Sequence, residues 1–226
     1  MFTLQEVAAT IDHAVLKPNQ TEADLRADAA MCIQYQVASL CVRPCDIRLA
    51  AKLLAGSGVK VSCVLSFPHG SDTTATKIFQ AQQAIDDGAE EIDMVMNIGQ
   101  FLSGHHDLVR NEIQAVVETA HASQVLVKVI QESGFLTLEQ IALASQLTLE
   151  AGADFVKTST GFAPSSATPE IVEAMVQAVG GKIGIKASGG IRTWEQAVGY
   201  LEQGATRLGI GATATVLSGG MANEEY

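Results

Sequence analysis

The sequence has few basic residues, and this shortage limits the partners that the chain can bind. Lysine and arginine together number 14, against 25 aspartate and glutamate residues, which gives a formal net charge of −11. So acidic a chain has no general attraction for a nucleic-acid backbone or an anionic membrane surface. We therefore expect neither a nucleic acid nor a membrane as a partner.

Long apolar runs and a cysteine framework are also missing. No stretch reaches the roughly 18 apolar residues of a membrane-spanning helix, and the first residues lack the apolar core of a signal peptide. The cysteines Cys32, Cys41, Cys45 and Cys63 are too sparse for a disulfide framework and form no CxxC pair. We expect a cytoplasmic protein with buried free thiols and no metal site.

What the sequence does contain is enough apolar material for one large core. Hydrophobic residues make up 47% of the 226 residues and charged residues 17%, so the composition is that of a folded protein. No linker or low-complexity stretch divides the chain. We predict a single domain over residues 1–226, with a flexible C-terminal tail at about 219–226.

A recurring pattern marks the ends of helices. An acidic or amide residue, a glycine and an alanine precede an extended segment three times, around Gly88, Gly152 and Gly204. Glycine just past a helix closes the last turn with a positive φ, so each copy predicts a helix end that leads into a strand. The spacings of 64 and 52 residues leave room for two βα units each.

Eight segments have the character of strands, and the residues between them have that of helices. The predicted strands lie near 8–15, 37–43, 60–67, 91–97, 125–132, 154–159, 183–188 and 206–210. This alternation predicts a single-domain (β/α)8 barrel of the TIM class. The alternative is an open doubly wound sheet, although no GxGxxG motif supports dinucleotide binding.

Periodic apolar residues support the helices between these strands. One such set is Thr74, Ile78, Ala81 and Ile85, and another is Val109, Ile113, Val116, Val117 and Ala120. Helix starts are predicted at Thr168, which precedes a proline, and at Thr193, which forms a capping box with Gln196.

Alternation within the strands places charged groups inside the predicted barrel. In segment 91–97, Asp93 lies on the face opposite to Ile92 and Met94, which would pack against the helices. The same alternation in the next three strands puts three lysines in the interior, namely Lys128, Lys157 and Lys186.

Buried lysines on neighbouring strands predict chemistry. Burial is costly for a charged amine, and a cation beside Lys157, such as Lys186, lowers the pKa further. A neutral lysine can attack a carbonyl and form an imine, while Asp93 relays protons. The alternative is structural: a single lysine would pair with Asp93 or Glu132.

Glycine-rich turns follow the last two predicted strands. Backbone N–H groups in such turns bind phosphate, and this position is the usual phosphate site of the barrel. Arg192 and Arg207 also lie there and, with the lysines, predict a local basic pocket. We therefore expect a phosphorylated carbonyl compound as the substrate.

The segment Phe155–Phe162, which contains the motif KTSTG, resembles the block around the imine-forming lysine of the 2-deoxy-D-ribose-5-phosphate aldolase family. Segments 11–13, 127–130 and 184–192 resemble further blocks of that family in the same order. The resemblance covers essentially the whole chain. Some family members have a lysine where this chain has Phe162, and a serine pair where it has Gly211 and Ala212.

The resemblance implies a class I aldolase, a lyase that needs no metal or other cofactor. The implied reaction is the reversible cleavage of 2-deoxy-D-ribose 5-phosphate to acetaldehyde and D-glyceraldehyde 3-phosphate, in deoxyribose catabolism. Lys157 would form the imine, Lys186 and Asp93 would relay protons, and Tyr226 would assist proton transfer. The candidate substrate-binding residues are Asp12, Lys128, Thr160, Gly161, Gly189, Gly190, Ile191, Arg192, Gly209 and Gly211.

Two other functions stay open from the residues alone. One is a phosphate-binding barrel with isomerase or other lyase activity that forms no imine. The other is a sugar-phosphate sensor without catalysis, against which the retention of Lys157, Lys186 and Asp93 counts. A homodimer is compatible with the sequence.

Overall fold

All eight predicted strands are present, and each is shorter than its predicted segment. The computed structural model describes residues 2–163 and 166–222. The strands are β1 (Ile11–Val15), β2 (Ser39–Val42), β3 (Lys60–Leu65), β4 (Glu91–Val95), β5 (Leu126–Ile130), β6 (Phe155–Lys157), β7 (Gly184–Ser188) and β8 (Arg207–Ile210). The trimmed ends lie mostly in turns and loops, except that Ala8 is the last residue of a helix, Leu4–Ala8.

The strands form a closed parallel barrel in chain order. Each strand pairs with the next, and β8 pairs with β1 through Leu208 and Ile11. Closure confirms the (β/α)8 barrel and excludes the open doubly wound sheet, because that sheet would have two unpaired edges.

Helices connect the strands and cover the outside of the barrel. They are α1 (Leu4–Ala8), α2 (Glu22–Tyr35), α3 (Ile47–Leu54), α4 (Thr74–Asp86), α5 (Ile98–Leu102), α6 (His106–His121), α7 (Leu138–Glu150), α8 (Pro169–Val179), α9 (Trp194–Glu202) and α10 (Thr213–Leu217), with 3-10 turns at Pro44–Asp46 and Ser133–Phe135. Within the described residues, no helix has both the length and the apolar character needed to cross a bilayer.

The predicted helix boundaries are confirmed. Gly88, Gly152 and Gly204 follow α4, α7 and α9 with φ values of 105°, 79° and 110°. Thr168 and Thr193 cap α8 and α9 by accepting a backbone N–H through their side chains. These local signals succeed because a cap depends on residues three or four apart in the chain.

The main core lies between the strands and the helices. Outward residues of the strands, such as Ile92 and Met94, are buried there, as are Val109 and Ile113 of α6. The apolar period predicted for α6 is therefore confirmed. This packing leaves the opposite face of each strand for the barrel interior.

Helix α4 departs from its predicted apolar face. Its buried residues are Lys77, Ala81 and Ala84, whereas Ile78 is only half-buried. Lys77 Nζ lies 2.6 Å from Glu112 Oε1 of α6. Ala81 of the predicted set is buried and Ile85 packs against the core, so the hydrophobic pattern located part of the buried face and missed the ion pair of Lys77.

The cysteine prediction is correct at three of four positions. Cys32, Cys41 and Cys63 are buried free thiols, but Cys45 is exposed. Cys45 lies in the 3-10 turn Pro44–Asp46, outside the strand and helix faces that form the core.

Candidate active site

Two pairs of neighbouring strands bring one carboxylate and three lysines together. Asp93 of β4 is aligned with Lys128 of β5, and Lys157 of β6 with Lys186 of β7. Asp93 Oδ1 accepts a hydrogen bond from Lys128 Nζ at 2.9 Å. Asp93 Oδ2 accepts from both Lys157 Nζ at 2.8 Å and Lys186 Nζ at 2.6 Å. The structure thus places the predicted interior residues in direct contact.

Three further groups extend this network toward the N-terminal end of the barrel. Lys186 Nζ lies 2.5 Å from Asp12 Oδ2, and Lys128 Nζ lies 2.5 Å from Glu91 Oε2. Arg207 Nη1 lies 2.6 Å from Asp12 Oδ1 and 3.1 Å from Glu91 Oε2. Asp12 and Glu91 therefore each link Arg207 to a lysine.

We call these seven residues the barrel cluster: Asp12, Glu91, Asp93, Lys128, Lys157, Lys186 and Arg207. Among the described residues in mutual contact, four basic groups face three carboxylates. Fully ionised, the barrel cluster would carry one uncompensated positive charge in a buried site. Loss of one proton from a lysine removes this excess, because a buried unpaired charge is strongly disfavoured.

The contacts identify which lysine loses its proton. Of the described carboxylates, three contact Lys128 and two contact Lys186, but only Asp93 contacts Lys157. Burial lowers the pKa of Lys157, and the Lys186 ammonium lowers it further, although Asp93 opposes both effects. Lys157 is therefore the lysine that the charge balance favours in the neutral form.

The other two lysines are held in the charged form. Burial alone would lower the pKa of Lys186, but the Asp12 and Asp93 carboxylates raise it above its usual value. Burial is likewise outweighed at Lys128, whose pKa is raised by Asp12, Asp93 and Glu91. One neutral amine beside two ammonium groups is an arrangement suited to nucleophilic attack on a carbonyl.

Hydroxyl groups fix the strand ends that carry the two central lysines. Ser188 N–H donates to Thr158 Oγ1 at 3.0 Å, and Thr158 Oγ1 donates to the Ser188 carbonyl at 2.9 Å. Ser188 Oγ donates to the Ser159 carbonyl at 2.7 Å. All three residues are buried. These bonds tie the end of β6 to the end of β7 and limit independent movement of Lys157 and Lys186.

Glu132 has a different role from the lysine pairing considered above. Its Oε1 accepts from the Thr160 backbone N–H at 3.1 Å, and its Oε2 accepts from the Thr160 hydroxyl. Phe162 N–H in turn donates to Thr160 Oγ1 at 3.0 Å. Glu132 therefore holds the turn after β6. Sequence analysis missed this contact because the two residues lie on separate loops, 28 positions apart.

An open cavity lies beyond the barrel cluster, at the C-terminal ends of the strands. Its volume is about 330 Å³. Ala14 and Gly209, which line it, lie two residues beyond Asp12 and Arg207 on β1 and β8. The cavity thus begins one inward layer above the cluster, at the end of the barrel that carries active sites in this fold.

The lining of this cavity includes most of the predicted phosphate residues. Those present are Gly189, Gly190, Ile191, Arg192, Gly209 and Gly211. Among the described residues, Thr160 and Gly161 do not line it, since Thr160 is fully buried. Of the four cations expected in the basic pocket, Arg192 lines the cavity, whereas Lys157, Lys186 and Arg207 lie in the barrel cluster beneath it.

A comparison with known protein families identifies the relatives of the chain. Residues 6–220 match the model of the DeoC/LacD family of aldolases. The chain belongs to this aldolase family.

Individual relatives match over nearly their whole length. The chain is 46% identical to a deoxyribose-phosphate aldolase of Thermoanaerobacter sp. over 93% of this chain and 95% of the relative. It is 43% identical to one of Clostridium perfringens over 98% and 99% of the two chains. A tetrameric deoxyribose phosphate aldolase of Aeropyrum pernix has a similar structure, with a TM-score of 0.89, 31% identity, and coverage of 96% and 91%.

The loop after β1 contributes lining residues that were absent from the sequence-based prediction. Lys17 and Gln20 reach the cavity from the loop after β1. Position was the available signal, because loops that follow barrel strands surround the active site in this fold. Phe162 also lines the cavity and packs edge-on against Phe67, with 5.4 Å between ring centroids. An aromatic side chain thus lies where some family members have a lysine.

Gly209 lines the cavity, and the structure has no room for a side chain at this position. A Cβ at this position would lie 2.6 Å from Ser188 Cβ and 3.4 Å from Lys186 Cε. The first distance is shorter than real Cβ contacts allow, so a side chain would displace Ser188 or the backbone of β8. The glycine therefore leaves room for Ser188 beside the cavity.

The candidate residue Tyr226 lies outside the described residues. The last described positions of the predicted tail make backbone contacts. Gly220 N–H donates to the Thr215 carbonyl at 2.9 Å, and Ala222 N–H donates to the Arg192 carbonyl at 3.0 Å. Residues 221 and 222 also line the cavity, so the chain runs along the predicted phosphate site.

Proposed function

We propose that this chain cleaves 2-deoxy-D-ribose 5-phosphate reversibly to acetaldehyde and D-glyceraldehyde 3-phosphate, through an imine at Lys157. The observation that carries the proposal is the unequal sharing of carboxylates in the barrel cluster. Lys157 contacts Asp93 alone of the described carboxylates, while Lys186 and Lys128 have more partners. The identity of the substrate is inferred from the relatives, which are named deoxyribose-phosphate aldolases.

The first step is attack by neutral Lys157 on the aldehyde carbon of the open-chain sugar. The new C–N bond gives a carbinolamine, which loses water to form a protonated imine. Asp93 lies 2.8 Å from Lys157 Nζ and 2.6 Å from Lys186 Nζ, so it can pass a proton between the two nitrogens. Lys186 then supplies the proton that leaves with the hydroxyl as water.

The second step breaks the bond between C2 and C3 of the sugar. The C3 hydroxyl gives its proton to Lys186, which the dehydration left neutral, and becomes the aldehyde of glyceraldehyde 3-phosphate. The electrons of the C2–C3 bond move into the imine and leave an enamine on Lys157. Protonation of the enamine at C2 and hydrolysis of the imine release acetaldehyde and restore the amine. Tyr226 is proposed to assist the protonation at C2.

The remaining predicted site residues are proposed to bind or support the substrate. Arg192 and the backbone N–H groups of Gly161, Gly189, Gly190, Ile191, Gly209 and Gly211 would hold the phosphate. Thr160, which is buried and bonded to Glu132, would support the substrate from the turn after β6. Asp12 and Lys128 would hold Lys186 and Asp93 beneath the reacting carbons.

Two broader properties also remain proposals. We expect the protein to act in the cytoplasm on free sugar phosphate, without a cofactor. A homodimer is our prediction for the assembly. The related Aeropyrum pernix protein is described as tetrameric, so light scattering should be used to distinguish a dimer from a tetramer.

The imine can be trapped directly. Borohydride reduction in the presence of acetaldehyde should add an ethyl group to one residue, and peptide mapping should locate it on Lys157. Release of acetaldehyde from 2-deoxy-D-ribose 5-phosphate, followed with a coupled dehydrogenase, measures the cleavage itself.

The matched control is Lys157→Arg, which keeps the positive charge but cannot form the imine. It should abolish both the adduct and the cleavage. Full turnover in this variant would indicate a lyase or isomerase that forms no imine. Binding of the sugar phosphate without release of acetaldehyde by the unmodified chain would indicate a sensor.

A further inference from the structure

Arg207 lies at the end of the barrel cluster that is remote from the cavity. Its Nη1 contacts Asp12 Oδ1 at 2.6 Å and Glu91 Oε2 at 3.1 Å. Its guanidinium carbon lies 5.3 Å from the centroid of the Phe155 ring. The side chain is 13% exposed. It is therefore held on several sides, in a place where it does not reach a substrate in the cavity.

The charge of Arg207 changes the balance of the whole cluster. Without it, three lysines would face three carboxylates, and every lysine could remain protonated without an excess charge. With it, one positive charge is in excess, and the lysine with the fewest carboxylate partners is the one that loses its proton. That lysine is Lys157.

The shared carboxylates carry this effect through the barrel. Asp12 contacts both Arg207 and Lys186, and Glu91 contacts both Arg207 and Lys128. Because Arg207 neutralises part of the negative charge of both Asp12 and Glu91, Lys186 and Lys128 rely more on Asp93 to balance their positive charges. Less of the negative charge of Asp93 is then available to hold a proton on Lys157.

We propose that Arg207 is a positioning residue for the reaction, one that keeps Lys157 in its neutral, nucleophilic form by supplying the excess positive charge of the barrel cluster. This inference rests on the proposed function, since it concerns the nucleophile of that reaction. Arg207 acts through Asp12 and Glu91 and touches neither the substrate nor the reacting atoms.

The charged and titratable groups around Arg207 and Lys157 must be unchanged in the test, apart from the residue that is substituted. Arg207 is faced by Asp12 from β1, Glu91 from β4 and the ring of Phe155 from β6. Lys157 is faced by Asp93, Lys186, the Cys41 thiol and, at longer range, the Glu132 carboxylate. Burial raises the pKa of Cys41, so its thiol stays neutral near neutral pH.

The test changes the net charge of the barrel cluster in both directions. The quantity followed is the pH at the midpoint of the acid limb, the low-pH side of the profile of kcat/KM against pH. The variants are Arg207→Met, Arg207→Lys, Glu91→Gln, and the double variant Glu91→Gln with Arg207→Met. For each, kcat/KM for 2-deoxy-D-ribose 5-phosphate and the rate of borohydride trapping with acetaldehyde are measured from pH 5 to pH 10.

The proposal predicts shifts of opposite sign. Arg207→Met should move the acid limb up by about one pH unit, which lowers kcat/KM about tenfold on that limb and leaves a recovery at alkaline pH. Glu91→Gln should move it down. The double variant restores the excess of one positive charge and should return the limb close to its original position, and Arg207→Lys should leave it there.

Each other outcome overturns the inference. A loss in Arg207→Met that is equal at all pH values, or a double variant that is worse than both single variants, would assign Arg207 a purely structural role. If Arg207→Met does not fold, the test rests on Glu91→Gln, and an acid limb that stays in place in that variant would also overturn the inference. If the unmodified chain yields neither adduct nor acetaldehyde, the proposed function fails instead.

Discussion

The molecule contains buried lysines in two settings, the barrel interior and the space between α4 and α6. Lys157 and Lys77 are both buried, both contact a carboxylate within 2.8 Å, and both have a pKa lowered by burial. Burial and pairing alone therefore do not distinguish a catalytic lysine from a structural one.

The two settings differ in the number of lysines that share one carboxylate. Among the described residues, Lys77 is the one cation in contact with Glu112, at 2.6 Å, and it also donates to the Val95 carbonyl at 2.8 Å. Glu112 accepts from the Asn97 N–H at 3.2 Å. Charge there is balanced one to one. Asp93 is instead shared by three lysines, one of which is Lys157. A shared carboxylate leaves one amine under-compensated, and that amine belongs to Lys157, the proposed nucleophile.

The largest effect that separates the two settings is expected from Lys157→Arg. Because the guanidinium cannot form an imine, kcat should fall by a factor of about 10³ or more. The control is Lys77→Met, whose folded fraction should still give the acetaldehyde adduct on borohydride reduction. Loss of the adduct in the control would show that the two lysines are not separable in this way.

The next effect is on stability. Lys77→Met leaves Glu112 buried without its cation and should cost about 3–5 kcal/mol in the free energy of unfolding, measured in urea. Adding Glu112→Leu should recover most of this loss, because the unpaired charge is removed. A double variant as unstable as the single one would mean that the pair, and not the unpaired charge, supplies the stability.

A smaller effect is expected from the neighbour of the reactive amine. Lys186→Met removes a positive charge, so the pKa of Lys157 should rise and the acid limb of kcat/KM should move to higher pH. The sign follows because only the neutral amine attacks, and a higher pKa means more protonated amine at a given pH. We expect a loss of about 10²-fold at neutral pH, which combines this shift with the lost proton relay.

Raising the pH separates these two contributions. At alkaline pH the part of the loss that comes from the shifted pKa should disappear, and the part that comes from the proton relay should remain. Lys186→Arg keeps the charge and should keep the acid limb near its original position. A limb that stays in place in Lys186→Met would contradict the role assigned to the lysine pair.

The smallest effect tests the support of the site. Glu132→Gln replaces one of the two acceptor oxygens opposite Thr160 by an NH2 group and removes the charge that strengthens both hydrogen bonds. We expect KM for 2-deoxy-D-ribose 5-phosphate to rise about tenfold. Imine trapping with acetaldehyde alone should change little, since that reaction does not need the turn after β6. Glu132→Asp would be the charge-preserving comparison, and equal losses in both assays would argue for a general disturbance of the barrel.

The sequence determined the parts of this protein that depend on near neighbours. Alternation along strands placed Asp93 and the three lysines inside, and caps such as Thr168 and Thr193 fixed where helices begin. These signals act over a few residues, so they survive without knowledge of the fold. The KTSTG motif and the glycine turns carried the resemblance to the aldolase family.

Only the tertiary structure decided which charged groups share partners. Arg207 and Asp12 are separated by 195 positions in the chain, and Glu132 and Thr160 by 28. The burial of Lys77 against Glu112 is likewise absent from the apolar pattern of α4, because the two residues lie on different helices. Electrostatic balance depends on distance in space, which barrel closure sets. The local motif singled out Lys157, but the sharing of carboxylates that favours its neutral form is visible only in the tertiary structure.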